Sequence, residues 1–310
     1  MSRLATISSS PTLREYAQGL AQSSLMPVAD FLAPTVPVAT STGNYKVYTE
    51  ENRFHIPDTR RAIGGAATQL RFDAYDATFN CSPHALDYPV DNLEQIEAAG
   101  LEDMLAEGAR AVAEVAALSH EKTVLDLALA TIGAGTDSNF TSTSVDPVDV
   151  LDAQILNVIK AARYGSLMSV GVLFGATAWQ RFKNNSNVRA RVFMGTKNPT
   201  TSVSDQQASA LLVGQPEIKT SYMVYDSAPE GVAASMSFVL DTAIIIFARQ
   251  ASPTRRDPSF MKTFRLRNQF MVPGSYVTPD GRGEVAKFDW SEDVKVTNST
   301  AAARINATNA

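Results

Sequence analysis

The spacing of apolar residues predicts a chain that mixes strands and helices. Apolar and polar residues alternate over residues 70–75, 260–267 and 285–290, and this period of two predicts strands there. A period close to 3.6 predicts a long helix from Asp91 to about Ser119. The predicted apolar face of this helix comprises Leu93, Ile96, Met104, Leu105, Val112 and Val115. The pattern therefore indicates the α+β class.

Shorter helical and strand patterns alternate between residues 147 and 251. Helices are predicted at 147–163, 178–184 and 205–212, and strands at 167–174, 189–195, 221–225 and 237–249. A connection rich in Gly, Ser and Thr at 133–144 separates this module from the long helix. Beyond the module, the chain is predicted to run through two long strands to a polar tail.

The N-terminal region has the pattern of an extended arm. Prolines interrupt its apolar residues, and a proline cannot donate a hydrogen bond to a neighbouring strand. Its apolar side chains Phe31, Leu32 and Val36 must still be covered, either by the rest of the chain or by a neighbouring molecule. We treat these three residues as candidates for an inter-subunit contact.

A long polar segment separates the strand-like Tyr45–Tyr48 from the strand predicted at 70–75. About twenty residues that include Pro57, Gly64 and Gly65 cannot form a core, and a loop of that length in a compact domain usually has a function. We expect this loop to project from the body. Its basic residues are further contact candidates, namely Arg53, Arg60 and Arg61.

Composition narrows the functional classes. The chain has 310 residues, 45% of them hydrophobic, and a net charge of −5, which excludes a disordered chain and disfavours a protein whose main task is to bind nucleic acid. The single cysteine, Cys81, excludes an intramolecular disulfide. The first residues lack the apolar core of a signal peptide, and the longest strongly apolar run is too short to span a membrane. We expect a soluble, cytoplasmic product.

Motifs for catalysis or cofactor binding are weak. The sequence has no Gly-Lys-Ser/Thr and no Gly-x-Ser-x-Gly motif. Cys81 and His84 have the spacing of half a zinc site, but a structural site needs four ligands, and a buried thiol beside a loop histidine is the simpler interpretation. The sequence therefore predicts no catalytic residue, no cofactor and no metal.

Charge is unevenly distributed along the chain. The segment from Asp91 to Asp126 has nine acids and two bases, and the segment from Arg249 to Arg267 has six bases and one acid. The basic segment is interpreted as a partner for carboxylates on another chain, with DNA contact or a solvated face as the alternatives. The contact candidates here are Glu97, Glu102, Glu107, Arg255, Arg256, Arg265 and Arg267.

The order of these parts resembles the major capsid proteins of tailed bacteriophages, which have the Hong Kong 97-type fold. The resemblance covers about residues 26–305 and is most specific at Ala29–Val38, at Gly43–Tyr48 and at the loop tip Asp58–Gly65. It implies an N-terminal arm at 1–44, an extended β-hairpin loop at 45–90, a peripheral domain with the spine helix at 91–146, an axial domain at 147–251, and return strands of the peripheral domain with a tail at 252–310.

The resemblance also implies a function. A subunit of this kind assembles into pentamers and hexamers of an icosahedral shell around double-stranded DNA, which it contacts weakly and without specificity. Fewer than thirty residues precede Ala29–Val38, so a separate scaffolding protein, or none, is implied, beside a portal and with no membrane partner. Lys46 is the only lysine from Tyr45 to Phe79, and it lies at the base of the loop, so we expect non-covalent contacts. The location implied is the virion capsid, and the host cytoplasm during assembly.

Two alternatives remain. An encapsulin-like shell protein would have the same fold and enclose an enzyme as cargo. A soluble α+β enzyme with an unrecognised site would form a small oligomer with a pocket.

Overall fold

The computed structural model describes residues 28–48, 59–61, 63–66, 69, 74–93, 101–162, 169–193, 202–229, 231–250, 252–267 and 272–309. The helices in these ranges are α1 (Ala29–Leu32), α2 (Leu101–Ile132), α3 (Pro147–Ala162), α4 (Ala176–Asn184), α5 (Ser186–Val192) and α6 (Asp205–Leu211). The strands are β1 (Thr35–Val38), β2 (Thr42–Tyr48), β3 (Ala74–Asn80), β4 (Ser82–Asp91), β5 (Thr136–Asn139), β6 (Ser169–Gly175), β7 (Glu217–Ser221), β8 (Val224–Asp226), β9 (Met236–Phe238), β10 (Ala243–Arg249), β11 (Met261–Leu266), β12 (Val272–Val277), β13 (Gly283–Val296) and β14 (Ala302–Thr308). The α+β class is confirmed. Within the described ranges, no helix has the length and hydropathy of a membrane span.

The first sheet has five strands around the long strand β13. Its order is β1-β11-β13-β12, and β4 also pairs with β13. The arm strand β1 lies parallel to β11, and the other pairs are antiparallel. Ten residues of β4 pair with β13, so Ser82–Asp91 belongs to this sheet and not to the extended loop predicted for 45–90.

The long helix α2 packs on β13 and β4 through a face of small residues. Ala109, Ala113, Ala116 and Ala117 are buried there with Val112. The predicted face was partly wrong, since Leu93 is 72% and Val115 55% exposed. Alanine lets a helix lie close to a sheet, and a Cβ atom on Gly108 would come within 2.3 Å of the Tyr88 ring.

The helix α2 continues well beyond the predicted end near Ser119. Residues 124, 125 and 128 on the extra turns are fully buried against the second sheet. The helix ends at Ile132 and is followed by Gly133 in the left-handed conformation (φ +78°), a usual C-terminal position for glycine. Thus α2 connects the cores of both sheets.

The second sheet has the order β5-β14-β10-β6-β7. All four residues Ile244–Phe247 of β10 are fully buried, so the sheet is covered on both faces, in part by α3. The predicted polar tail was wrong, because Ala302–Thr308 is a strand between β5 and β10. The strand predicted at 189–195 was also wrong. The residues to 192 form the helix α5, whose N-cap is the Asn185 side chain.

Two antiparallel ribbons stand outside these sheets. The hairpin β2–β3 pairs Thr42 with Asn80 and Tyr48 with Ala74, so strands occur on both sides of the predicted loop. Of the strand predicted at 70–75, residues 70–73 lie outside the described residues. The ribbon β8–β9 follows β7 and precedes β10. Apart from these strand pairings, the division into arm, loop, peripheral and axial domains stays a prediction.

Candidate inter-subunit surfaces and the buried charges

The arm is anchored in the core of the chain itself. The Phe31 ring packs edge-on against Phe247 at 5.2 Å, while the cations of Lys219 and Arg249 lie 5.0 and 4.6 Å from its centre. Leu32 is buried in the same core. Val36 is buried in a separate cluster under the β2–β3 hairpin. The proposal that Phe31, Leu32 and Val36 contact a neighbour is therefore corrected, because their own chain already covers them.

The basic segment at 249–267 is divided between surface and interior. Arg256 and Arg267 are exposed, and half-buried Arg255 lies 5.6 Å from the centre of the Phe79 ring. Lys262 is fully buried and pairs with Asp257 at 3.1 Å. Only part of this segment can therefore meet another molecule.

Arg265 is not a surface residue, which corrects its assignment as a contact candidate. Its side chain is 8% exposed, and its Nη2 and Nε atoms donate to Oε2 of Glu292 at 2.7 and 3.2 Å. The two residues face each other in the β11–β13 register. Since they are 27 positions apart on strands whose pairing the sequence leaves open, sequence reasoning missed the pair.

Glu292 is the centre of a buried charge cluster between α2 and the first sheet. Its Oε1 atom lies 2.8 Å from Nδ1 of His120. Burial alone would raise the pKa of Glu292, but the hydrogen bond and charge of His120 and the charge of Arg265 outweigh it and lower the pKa to about 2. The cluster joins α2 to β13 and β11 in the interior of the chain, where His120, Arg265 and Glu292 are each 8% exposed or less.

Glu121, the next residue on α2, has the opposite environment. It is buried, and Oγ of Ser221 at the end of β7 donates a long hydrogen bond (3.4 Å) to its Oε1 atom. Burial raises its pKa to about 7, and the Ser221 hydrogen bond lowers it only in part. Glu121 is thus a carboxyl group that folding favours in the neutral form.

The other contact candidates lie partly outside the described residues. Arg60 and Arg61 are exposed at the loop tip, where Nη1 of Arg61 donates to the Gly65 carbonyl at 3.0 Å. Glu107 is exposed on α2. Arg53, Glu97 and the side chain of Glu102 fall outside the described residues.

Sequence reasoning missed a set of exposed apolar residues. They lie on the ribbon β8–β9 and on the outer side of α3, namely Val224, Met236, Phe238, Leu156 and Ile159. In the sequence these positions look like ordinary half-buried strand and helix positions. Only the packing of the chain separates them from the core.

Cys81 and His84 make separate structural contacts. The Cys81 thiol is buried and donates to the Phe264 carbonyl at 3.4 Å, and the His84 ring stacks on Trp290 at 5.3 Å. Burial raises the pKa of the Cys81 thiol, which disfavours a nucleophilic thiolate. Among the described residues, no three or more His, Cys, Asp or Glu side chains are grouped to hold a metal ion.

A polar cavity of about 510 Å³ lies beside α4. Hydroxyl and amide side chains form most of its lining, together with Arg181, which donates to the Ala307 carbonyl. The lining residues include no carboxylate, histidine or cysteine that could act as a general base or nucleophile.

No protein-family model matches the chain, and no curated protein matches its sequence. Its fold, however, is similar to solved structures over nearly its full length. A phage-related protein from Bordetella bronchiseptica RB50 superposes with a TM-score of 0.70 at 17% identity, covering 97% of this chain and 98% of the other.

Two further structures extend the similarity. The asymmetric unit of the mature capsid of bacteriophage PhiM1 gives a TM-score of 0.54 at 9% identity, covering 89% of this chain and 85% of the other. An encapsulin complex from Synechococcus elongatus PCC 7942 gives 0.55 at 14% identity, covering 92% and 89%. The resemblance inferred from the order of segments is confirmed at the level of fold: the chain has the Hong Kong 97-type fold, which phage capsid proteins share with encapsulins.

Proposed function

We propose that the chain is the structural subunit of an icosahedral viral shell that assembles into pentamers and hexamers around double-stranded DNA. The observation that carries the proposal is the fold shared over 89% of this chain and 85% of a chain from the mature capsid of bacteriophage PhiM1. The phage-related protein matches 97% of this chain, so only a short part of the chain lies outside the shared fold.

The chemistry of the interior supports a structural role. Glu292, Arg265 and His120 form a buried cluster between α2 and the first sheet, and the residues that line the cavity beside α4 include no carboxylate, histidine or cysteine. An enzyme of this size would need such groups gathered in a pocket. We therefore propose that the chain is not an enzyme and needs no cofactor.

Partners and location belong to the same proposal. The partners would be other copies of the chain, a separate scaffolding protein, a portal and the packaged DNA, with the virion as the location. A net charge of −5 suits weak contact with DNA, because a strongly basic inner surface would bind DNA during packaging. Arg60, Arg61, Glu107, Arg256 and Arg267 remain the exposed candidates for contacts between subunits.

Sedimentation of the expressed protein tests the proposal. We expect pentamers, hexamers or particles in the megadalton range, alone or with the neighbouring genes co-expressed. Nuclease-resistant DNA in particles from the native source would support a virus, whereas a single enriched enzyme inside them would favour the encapsulin-like alternative. A small oligomer under every condition would contradict both shell assignments.

A further inference from the structure

One face of the ribbon β8–β9 is apolar and exposed. The register pairs Val224 with Phe238 and Asp226 with Met236, which places all four side chains on the same face. Val224, Phe238 and Met236 are 46%, 42% and 71% exposed. Tyr225, on the opposite face, lies with its ring 4.6 Å from the Lys122 ammonium of α2.

The ribbon therefore gains support from its own chain on one side only. An isolated two-stranded ribbon is marginally stable in water, and uncovered apolar side chains grouped on it mark an interaction site.

Helix α3 carries a second, separate apolar surface. Leu151, Ile155 and Val158 face the core and are buried. Leu156 and Ile159 lie one turn apart on another side of the helix and are 46% and 36% exposed. A helix that is apolar on two sides usually packs on both.

The charges beside the two surfaces are complementary. Asp226 accepts hydrogen bonds from the backbone amides of Ala228 and Ser235 at 2.9 and 2.8 Å through one oxygen, and these bonds lower its pKa. It is therefore an exposed anion beside Met236. Lys160, next to Ile159, is exposed in the last turn of α3 and supplies a cation beside the second surface.

We propose that the apolar face of the β8–β9 ribbon docks on the exposed side of α3 in a second copy of this chain, with Asp226 facing Lys160 of that copy. Because the two surfaces differ, the contact is heterologous, and repeating it gives a ring when the rotation between neighbouring copies closes, as the proposed pentamers and hexamers require. The proposal rests on the proposed shell function and specifies which residues join neighbouring subunits in one capsomer.

Cysteine cross-linking tests the contact directly. The double variant Met236→Cys/Leu156→Cys is oxidised after assembly and run on a non-reducing gel. The native Cys81 is present in every sample, and it is buried in the folded chain. We expect a ladder of covalent oligomers from the double variant. The control pair Met236→Cys/Ser119→Cys, whose second site is exposed on α2, should stay monomeric on the gel.

A charge introduced into the surface gives a second measurement. Met236→Asp and Leu156→Asp should each lower the yield of rings or shells about tenfold or more, since each factor of ten needs only a small loss of contact energy. Val115→Asp is the matched control, since the exposure of Val115 on α2 lies between those of Met236 and Leu156, and this variant should assemble normally. Thermal melting of the three variants as unassembled subunits should match the wild type.

The outcomes separate this inference from the proposed function. Wild-type protein that forms no ring or shell contradicts the proposed function itself. If wild-type shells form, three results each overturn the inference alone: no ladder from the double variant, dimers from Met236→Cys by itself through ribbon-to-ribbon pairing, or normal shell yield from both charge variants.

Discussion

Replacing Arg265 by glutamate should destabilise the folded subunit itself and not merely weaken its assembly. Arg265 is 8% exposed and donates two hydrogen bonds to Glu292, so the variant would leave two carboxylates in one buried site. Removing one partner of a buried ion pair costs about 3–5 kcal/mol, and the repulsion adds to this. The matched control is Arg267→Glu, which makes the same charge change at an exposed position two residues further on and should alter stability by only about 0.5 kcal/mol.

The assay is denaturant and thermal unfolding of the unassembled subunit, followed by circular dichroism. We expect the melting temperature of Arg265→Glu to fall by about 8 °C or more, and that of Arg267→Glu to stay near the wild type. Ionised Glu292 contributes to the free energy of unfolding within a defined pH range. This contribution is fully present above pH 4.5, the ordinary pKa of glutamate, and is lost as the pH falls toward the folded pKa of about 2. If both variants melt like the wild type, the buried Arg265–Glu292 pair is refuted and Arg265 is a surface residue.

Three further predictions concern single positions. For Glu121, the folded pKa of about 7 lies above its ordinary 4.5, so the stability of the wild type should fall as the pH rises from 4.5 to 7. Glu121→Gln should remove that fall and be more stable than the wild type by roughly 3 kcal/mol at pH 8. Equal urea midpoints for both proteins at pH 8 would contradict this. Phe31→Ala should cost about 3–5 kcal/mol in denaturant unfolding because the ring fills the core, whereas a loss below about 1 kcal/mol would show that the arm is not anchored there. Gly108→Ala would be favourable in an isolated helix, but here it should destabilise the protein by about 1–3 kcal/mol because its Cβ atom clashes with the Tyr88 ring. Adding Tyr88→Ala to the same chain should relieve this clash. If Gly108→Ala alone stabilises the protein, α2 lies further from β4.

The sequence predicts elements of strong periodicity well. The long helix, the strands on either side of the extended loop and the alternating strands of the C-terminal third all occur in the structure. The sequence predicts less reliably which side chains of an element face the core. On α2 Val115 faces solvent, and four alanines together with Val112 form the contact, because a close helix–sheet distance favours small side chains.

Long-range pairing is what the sequence does not provide. β14 has the composition of a polar tail, yet it lies inside a sheet, where Nε of Arg304 donates to the Asn306 side chain and Nδ2 of Asn306 donates to the Ala134 carbonyl. The basic segment at 249–267 looks uniform in the sequence, but folding buries Lys262 against the nearby Asp257 and Arg265 against Glu292 of β13, and it leaves Arg256 exposed. The exposed apolar face of the ribbon likewise emerges only once the core is known.

Electron microscopy of particles formed by the purified full-length protein tests the proposed shell function most directly. We expect closed icosahedral shells built from pentamers and hexamers, with density in every subunit for the long helix α2 and for both five-stranded sheets. A homogeneous monomer or dimer, unchanged by co-expression of the neighbouring genes, would contradict the shell function.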